Sequence, residues 1–95
     1  MQLGGGFFRP QSRPSRDLAV LLARTLAASG PLAGRPLRVL DAMAGCGIRG
    51  LRLGPEAGAS AVWANDADPD RLPLLTANLA PLLAAGCELR LTTCL

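Results

Sequence analysis

The stretch Asp41-Ala42-Met43-Ala44-Gly45-Cys46-Gly47-Ile48-Arg49-Gly50 decides the fold. From Gly45 to Gly50 it fits the pattern G-x-G-x-x-G, which by itself is common. Its surroundings narrow the meaning. The run Leu37-Arg38-Val39-Leu40-Asp41 precedes it and fits a strand buried on both faces of a parallel sheet. A helix is expected from about Ile48 to Leu53, and Ser60-Ala61-Val62-Trp63-Ala64-Asn65 reads as a second strand. Glycines in such a turn let the backbone come close to a ligand, and the helix start beyond them offers unpaired N–H groups. Asp66 follows about 20 residues on, at the strand tip, where a carboxylate accepts both ribose hydroxyls. Residues 37 to 78 therefore read as a β-α-β unit that holds a nucleotide-type cofactor.

Two cofactors share this geometry. In a dinucleotide site the glycines follow the strand at once, and a pyrophosphate rests on the helix N-terminus. Here Asp41 ends the strand four residues before Gly45. Its carboxylate repels a pyrophosphate but suits a ligand with cationic and amino groups. The spacing favours S-adenosylmethionine, with an NAD(P)-binding unit as the alternative. Arg49 lies in the first turn of the following helix, where a cation opposes the helix dipole and needs a compensating partner. A ligand carboxylate or Asp41 would supply one. Arg16, at the expected start of an earlier helix, poses the same question.

Outward from this centre, residues 1 to 15 are rich in Gly, Pro and Arg and read as an extended arm, kept out of helix by Pro10 and Pro14. Phe7 and Phe8 would anchor that arm to the core or cover a ligand. Residues 16 to 95 read as one Rossmann-like domain, or part of one. Ser15 is placed to cap a helix starting near Arg16, and Leu18, Leu21, Leu22, Thr25 and Leu26 recur at helical spacing, so that face is expected to be buried. Gly30-Pro31 stops the helix. On the other side, Gly54-Pro55 is expected to break or reshape the helix after the glycine turn, and Gly58 to end the segment. Asp68-Pro69 opens a further helix with Leu72, Leu75, Leu79 and Leu82 inward, and Pro73 and Pro81 predict a kink or an early stop. Glu88 to Thr93 reads as a third strand. The order helix, strand, helix, strand, helix, strand is α/β with about three parallel strands and flanking helices.

Composition sets the outer limits. Ninety-five residues make at most one domain. No apolar run is long enough to span a membrane, and the N-terminus lacks the pattern of a signal peptide, so a cytoplasmic protein is expected. Cys46, Cys87 and Cys94 are widely spaced and histidine is absent, which argues against a metal site and for reduced thiols. The net charge is +3. The basic residues crowd the first 52 positions, and Asp and Glu dominate beyond them, a pattern that suits an anionic partner docking at one end.

At this point the chain resembles the tRNA (guanine-N2)-dimethyltransferase family, which modifies guanine 26 of tRNA. Phe7-Phe8-Arg9-Pro10 is similar to that family's Phe-Tyr-Asn-Pro opening, and Ser15-Arg16-Asp17-Leu18-Ala19-Val20 to its Asn-Arg-Asp-Leu-Ser-Val. The segment from Asp41 to Arg52 resembles its Asp-Ala-x-x-x-x-Gly-x-Arg-x-x-Arg block, Ala64-Asn65-Asp66 its Ala-Asn-Asp, and Asn78 an asparagine of the next helix. The resemblance implies S-adenosylmethionine contacts from Arg16, Arg49 and Asp66. The candidate cofactor-binding set is Arg16, Asp41, Gly45, Gly47, Arg49, Asp66 and Ala67, with Arg9 and Arg13 as candidate tRNA contacts. Arg9 stands where the family has asparagine, and Pro73 and Pro81 are unusual in the corresponding helix. The family's catalytic Asp-Pro-Phe/Tyr-Gly segment and tRNA-binding C-terminal domain have no counterpart in these residues. The expectation is thus a cofactor-holding portion, inactive alone, marginally stable, and able to self-associate through an open sheet edge. A methyltransferase acting on another substrate, or a fragment without activity, stays open.

Overall fold

The structure, a computed structural model, describes residues 10 to 94. A 3-10 turn, Pro10–Ser12, leads into α1 (Arg13–Ala28). The chain continues through β1 (Arg38–Asp41), α2 (Ile48–Ala57), β2 (Ala61–Asn65), a second 3-10 turn at Pro69–Arg71, α3 (Leu72–Ala84) and β3 (Glu88–Thr92). The three strands are parallel in the order β1-β2-β3, with Asp41 opposite Ala64 and Asn65 opposite Thr92. This is the expected Rossmann-like α/β arrangement. Among the described residues no strand pairs with the other edge of β1.

One face of the sheet carries the core. Side chains alternate across a strand, so Val62 and Ala64 of β2 point together toward α3, where Leu75, Leu79 and Leu82 meet them. All five are at most 2% exposed. Val39, Leu51, Leu89 and Leu91 close the cluster. On the opposite face Leu40 remains exposed, and the Arg90 guanidinium lies 4.5 Å from the centroid of the Trp63 ring. That position suits a cation–π contact.

Three glycines bring α2 this close. Gly47, Gly50 and Gly54 fall at helical spacing on one side. A Cβ at Gly54 would stand 2.4 Å from Leu82 Cδ2, and one at Gly50 would stand 3.0 Å from Val62 Cγ1. The last two glycines of the pattern thus serve packing. Gly47 also has φ +91°, a left-handed conformation that L side chains resist, and its missing Cβ clears Leu75 and Leu79.

Four sequence expectations change. First, α1 starts at Arg13, three residues before Arg16, and Ser15 is not its cap. Pro14 is tolerated in the first turn, where its missing N–H has no helical partner to lose. Second, the leucine face of α1 is exposed: Leu18 is 66% exposed and Leu22 60%. The helix packs instead on α2 through Arg16 and Val20, held by charged contacts described below. Third, Gly54-Pro55 does not break α2. The proline penalty on the preceding residue falls largely on its Cβ, which glycine lacks, and Pro55 lies in the helix's last turn. Gly58 ends the helix in a left-handed cap, with its N–H donating to the Leu53 carbonyl. Fourth, α3 runs past Pro81, and Leu72 is partly exposed at its start. Asp68 does act as a cap, but for the 3-10 turn: its Oδ1 accepts the Asp70 N–H at 2.9 Å. Phe7, Phe8 and Arg9 lie outside the described residues.

Candidate functional site

The loop from Asp41 to Gly47 runs between β1 and α2 at the carboxyl ends of the strands, and side chains from three elements hold its backbone. Asp66, just past β2, spans back to it: Oδ2 accepts the Gly45 N–H at 3.0 Å, while Oδ1 accepts the Asp68 N–H at 3.0 Å. Asn65 donates from Nδ2 to the Ala42 carbonyl at 3.1 Å, and its own backbone carbonyl accepts the Ala44 N–H at 2.8 Å. From α3, Asn78 Nδ2 donates to the Cys46 carbonyl at 2.8 Å. Both asparagines are buried, where an amide without partners is costly.

A groove of about 230 Å³ opens over this loop. Its walls include Arg16, Asp41, Gly45, Arg49 and Asp66. Five of the seven candidate residues thus come together from α1, β1, the loop, α2 and the end of β2. Gly47 is buried beneath α2 against leucines, and exposed Ala67 lies off the groove wall. Ser12, Met43 and Ile48 also line the groove and had not been singled out. Met43 is 88% exposed, at the rim.

The groove carries both signs of charge. Burial pushes the Asp41 carboxyl above its ordinary value; the Arg49 guanidinium and a backbone hydrogen bond from Met43 pull it back, and the Asp66 charge adds to the rise. Arg49 thus stands where its charge favours the ionised Asp41. Arg49 Nη2 also reaches Ser15 Oγ on α1 at 3.4 Å, a long contact.

Arg16 reaches the groove because α1 is tied to α2 beside it. Arg52 of α2 donates to Asp17 Oδ1 and, through Nε and Nη2, to both oxygens of Glu56 at 2.7 and 2.8 Å. These bonds stabilise the charged guanidinium and raise its pKa further, while Arg52 holds the Glu56 carboxyl below its usual range. Arg24 adds a hydrogen bond to the Glu56 carbonyl. Adjacent residues Arg16 and Asp17 therefore do different things: one faces the groove, the other fastens the helix that presents it. Arg13, exposed in the first turn of α1, also borders this clamp.

Sequence reasoning missed the roles of Asn65 and Asn78. The signal for Asn78 was present. It falls on the stripe of Leu75, Leu79 and Leu82, where a polar residue has to find a partner. Asn65 offered less, since a polar residue at a strand end is ordinary.

Comparisons with known proteins agree with this geometry. A family model described as N2,N2-dimethylguanosine tRNA methyltransferase matches residues 4–84. The tRNA (guanine(26)-N(2))-dimethyltransferase of Methanoregula boonei is 40% identical over 76 residues, covering 80% of this chain and 18% of the relative. The enzyme of the same description from Pyrococcus abyssi is 36% identical over 73 residues, or 77% of this chain and 17% of that one. Among solved structures, the complex of Trm1 from Pyrococcus horikoshii with S-adenosyl-L-methionine superposes with a TM-score of 0.67 at 34% identity, covering 81% of this chain and 19% of that chain. The chain thus spans about a fifth of the length of the relatives it matches. It belongs to the N2,N2-dimethylguanosine tRNA methyltransferase family.

Proposed function

We propose that this chain is the cofactor-holding portion of an S-adenosylmethionine-dependent tRNA methyltransferase acting on N2 of guanine 26. The observation that carries the reading is the mixed-charge groove, in which Arg16 and Arg49 stand beside Asp41 and Asp66. Such a groove complements a ligand with a carboxylate, an ammonium and a ribose. Arg49 and Arg16 attract the carboxylate, and Asp41 the ammonium. Each oxygen of Asp66 takes one amide N–H and keeps a further acceptor site for a ribose hydroxyl. When bound, S-adenosylmethionine supplies an electrophilic methyl group to the guanine amine. A dinucleotide fits less well, because Asp41 would face its pyrophosphate.

Several parts of the reading go with this core. The chain is an N-terminal arm followed by one partial methyltransferase domain. Arg9 and Arg13 contact tRNA. The work is done in the cytoplasm, where tRNA is the substrate. Two copies of the chain associate through the edge of β1 that no strand among the described residues pairs. No helix among the described residues is long and apolar enough to cross a membrane.

The test is filter binding of methyl-labelled S-adenosylmethionine, followed by incubation with unmodified tRNA. The expected result is saturable binding competed by S-adenosylhomocysteine, weakened about tenfold or more by Arg49→Ala, with no methyl transferred. Absence of saturable binding would contradict the cofactor reading, and turnover by the chain alone would contradict its being only the holding portion.

A further inference from the structure

A chain of side-chain hydrogen bonds runs along the sheet face that carries Trp63, Asn65 and Thr92, and ends on the loop over the groove. Trp63 Nε1 donates to Thr92 Oγ1 at 2.7 Å. Thr92 Oγ1 in turn donates to Asn65 Oδ1 at 2.6 Å. Oδ1 also accepts the weaker Cys94 thiol at 3.5 Å, and with Oδ1 so engaged the amide of Asn65 is oriented with Nδ2 toward the Ala42 carbonyl, which it reaches at 3.1 Å. The register makes this possible, because Asn65 and Thr92 are direct partners on neighbouring parallel strands. Asn65 is fully buried, so a flipped amide would set its carbonyl oxygen against that of Ala42. Ala42 follows Asp41, whose carboxylate lines the groove.

We propose that Trp63, Thr92 and Asn65 are positioning residues that fix the Asp41–Gly45 loop for ligand binding, acting in order from the indole to the Ala42 carbonyl. None of the three lines the groove. The ligand arm of this inference rests on the S-adenosylmethionine reading above; the loop arm does not. Trp63 is also the sole tryptophan and the chain has no tyrosine, so the emission comes from this indole alone.

The experiment compares the full chain with Thr92→Val and Thr92→Ser. Valine keeps the shape but removes both the acceptor and the donor, whereas serine keeps them. Amide hydrogen exchange is read at Ala44 and Gly45, with core amides of α3 as the reference. S-adenosylhomocysteine affinity and the Trp63 emission change on titration are then measured. Thr92→Val is expected to lower loop protection and affinity about three- to tenfold and to abolish the emission change. Thr92→Ser stays within about twofold of the parent, and core protection is unchanged in both. If Thr92→Val leaves loop protection at the parent level, the inference is overturned, whatever the affinity. If the parent chain binds no S-adenosylhomocysteine, the cofactor reading fails by itself; loosened loop amides in Thr92→Val then still support the positioning role. Should Thr92→Val fail to fold, Trp63→Phe, which removes the indole N–H, takes its place and is read by loop protection and affinity alone: lowered loop protection supports the inference and parent-level protection overturns it.

Discussion

The Gly45 amide donates to the Asp66 carboxylate at 3.0 Å, so the residue expected to grip the ribose also pins the glycine turn. The carboxylate takes a second amide, that of Asp68, on its other oxygen. Asp66→Asn is the informative change. An asparagine offers only one oxygen, and its NH2 group would face one of these two N–H donors. The expected outcome is a loss of at least about tenfold in S-adenosylhomocysteine affinity, as a hydrogen bond to a charged group contributes about 1.5–3 kcal/mol. Calorimetric titration checks it, and an unchanged affinity would show that Asp66 neither shapes the loop nor meets the ligand.

Asp17 lies off the groove but holds α1, and with it Arg16, against α2 through Arg52. Asp17→Ala should therefore weaken ligand binding about threefold or more, since a partly exposed ion pair contributes little. High salt should weaken the parent chain in the same direction. Asp17→Glu, which keeps the carboxylate for Arg52 and leaves the Arg52–Glu56 pair intact, should retain most of the binding. If Asp17→Ala binds like the parent in low and high salt, the clamp does not position Arg16.

Burial holds the Asp41 carboxyl above its ordinary 3.8. The folded chain thus keeps a proton there at pH values where the unfolded chain has released it. Stability linked to that proton is complete below the unfolded value and is lost as pH rises through the raised folded value. Asp41→Asn should remove this slope and raise the melting temperature at neutral pH, while weakening the ligand. Thermal melts from about pH 3 to 8 test the linkage; the same slope in both proteins would mean that Asp41 does not titrate as described.

Gly54 of α2 faces Leu82 of α3 with no room for a side chain. Gly54→Ala should destabilise the chain by about 1–3 kcal/mol, the usual range for overpacking, because the new Cβ falls 2.4 Å from Leu82 Cδ2. Gly58→Ala is the control. Its Cβ meets nothing within 4 Å, and only its φ of +70° is strained, at about 1 kcal/mol. Denaturant unfolding measures both, and an undiminished stability of Gly54→Ala would mean that Leu82 moves aside and that packing does not require glycine there.

Much of this was legible in the residues themselves. The strand and glycine-turn order placed β1, α2 and β2 within a few positions, because apolar runs and glycine punctuation act locally. That the strands run parallel followed from the helices alternating with them. Asp41, Gly45, Arg49 and Asp66 were readable as a site because their spacing along that unit leaves little freedom in where they meet. The failures share a different cause. Leu18 and Leu22 looked buried since periodicity reports a helix face but not what covers it. Pro55 looked like a breaker until Gly54 before it and the helix end after it were considered together. Gly47 satisfied a binding pattern while being needed for packing against Leu79. The Asp17–Arg52 clamp and the Trp63–Thr92–Asn65 chain connect residues far apart in sequence, and only strand register and helix packing bring them together.

The most direct test is calorimetric titration of the purified chain with S-adenosylhomocysteine and, separately, with NAD. One-to-one binding of S-adenosylhomocysteine, lost in Arg16→Ala and Arg49→Ala, with no heat from NAD, is the predicted result. Binding of NAD alone, or S-adenosylhomocysteine binding indifferent to both arginines, would contradict the assignment of the groove.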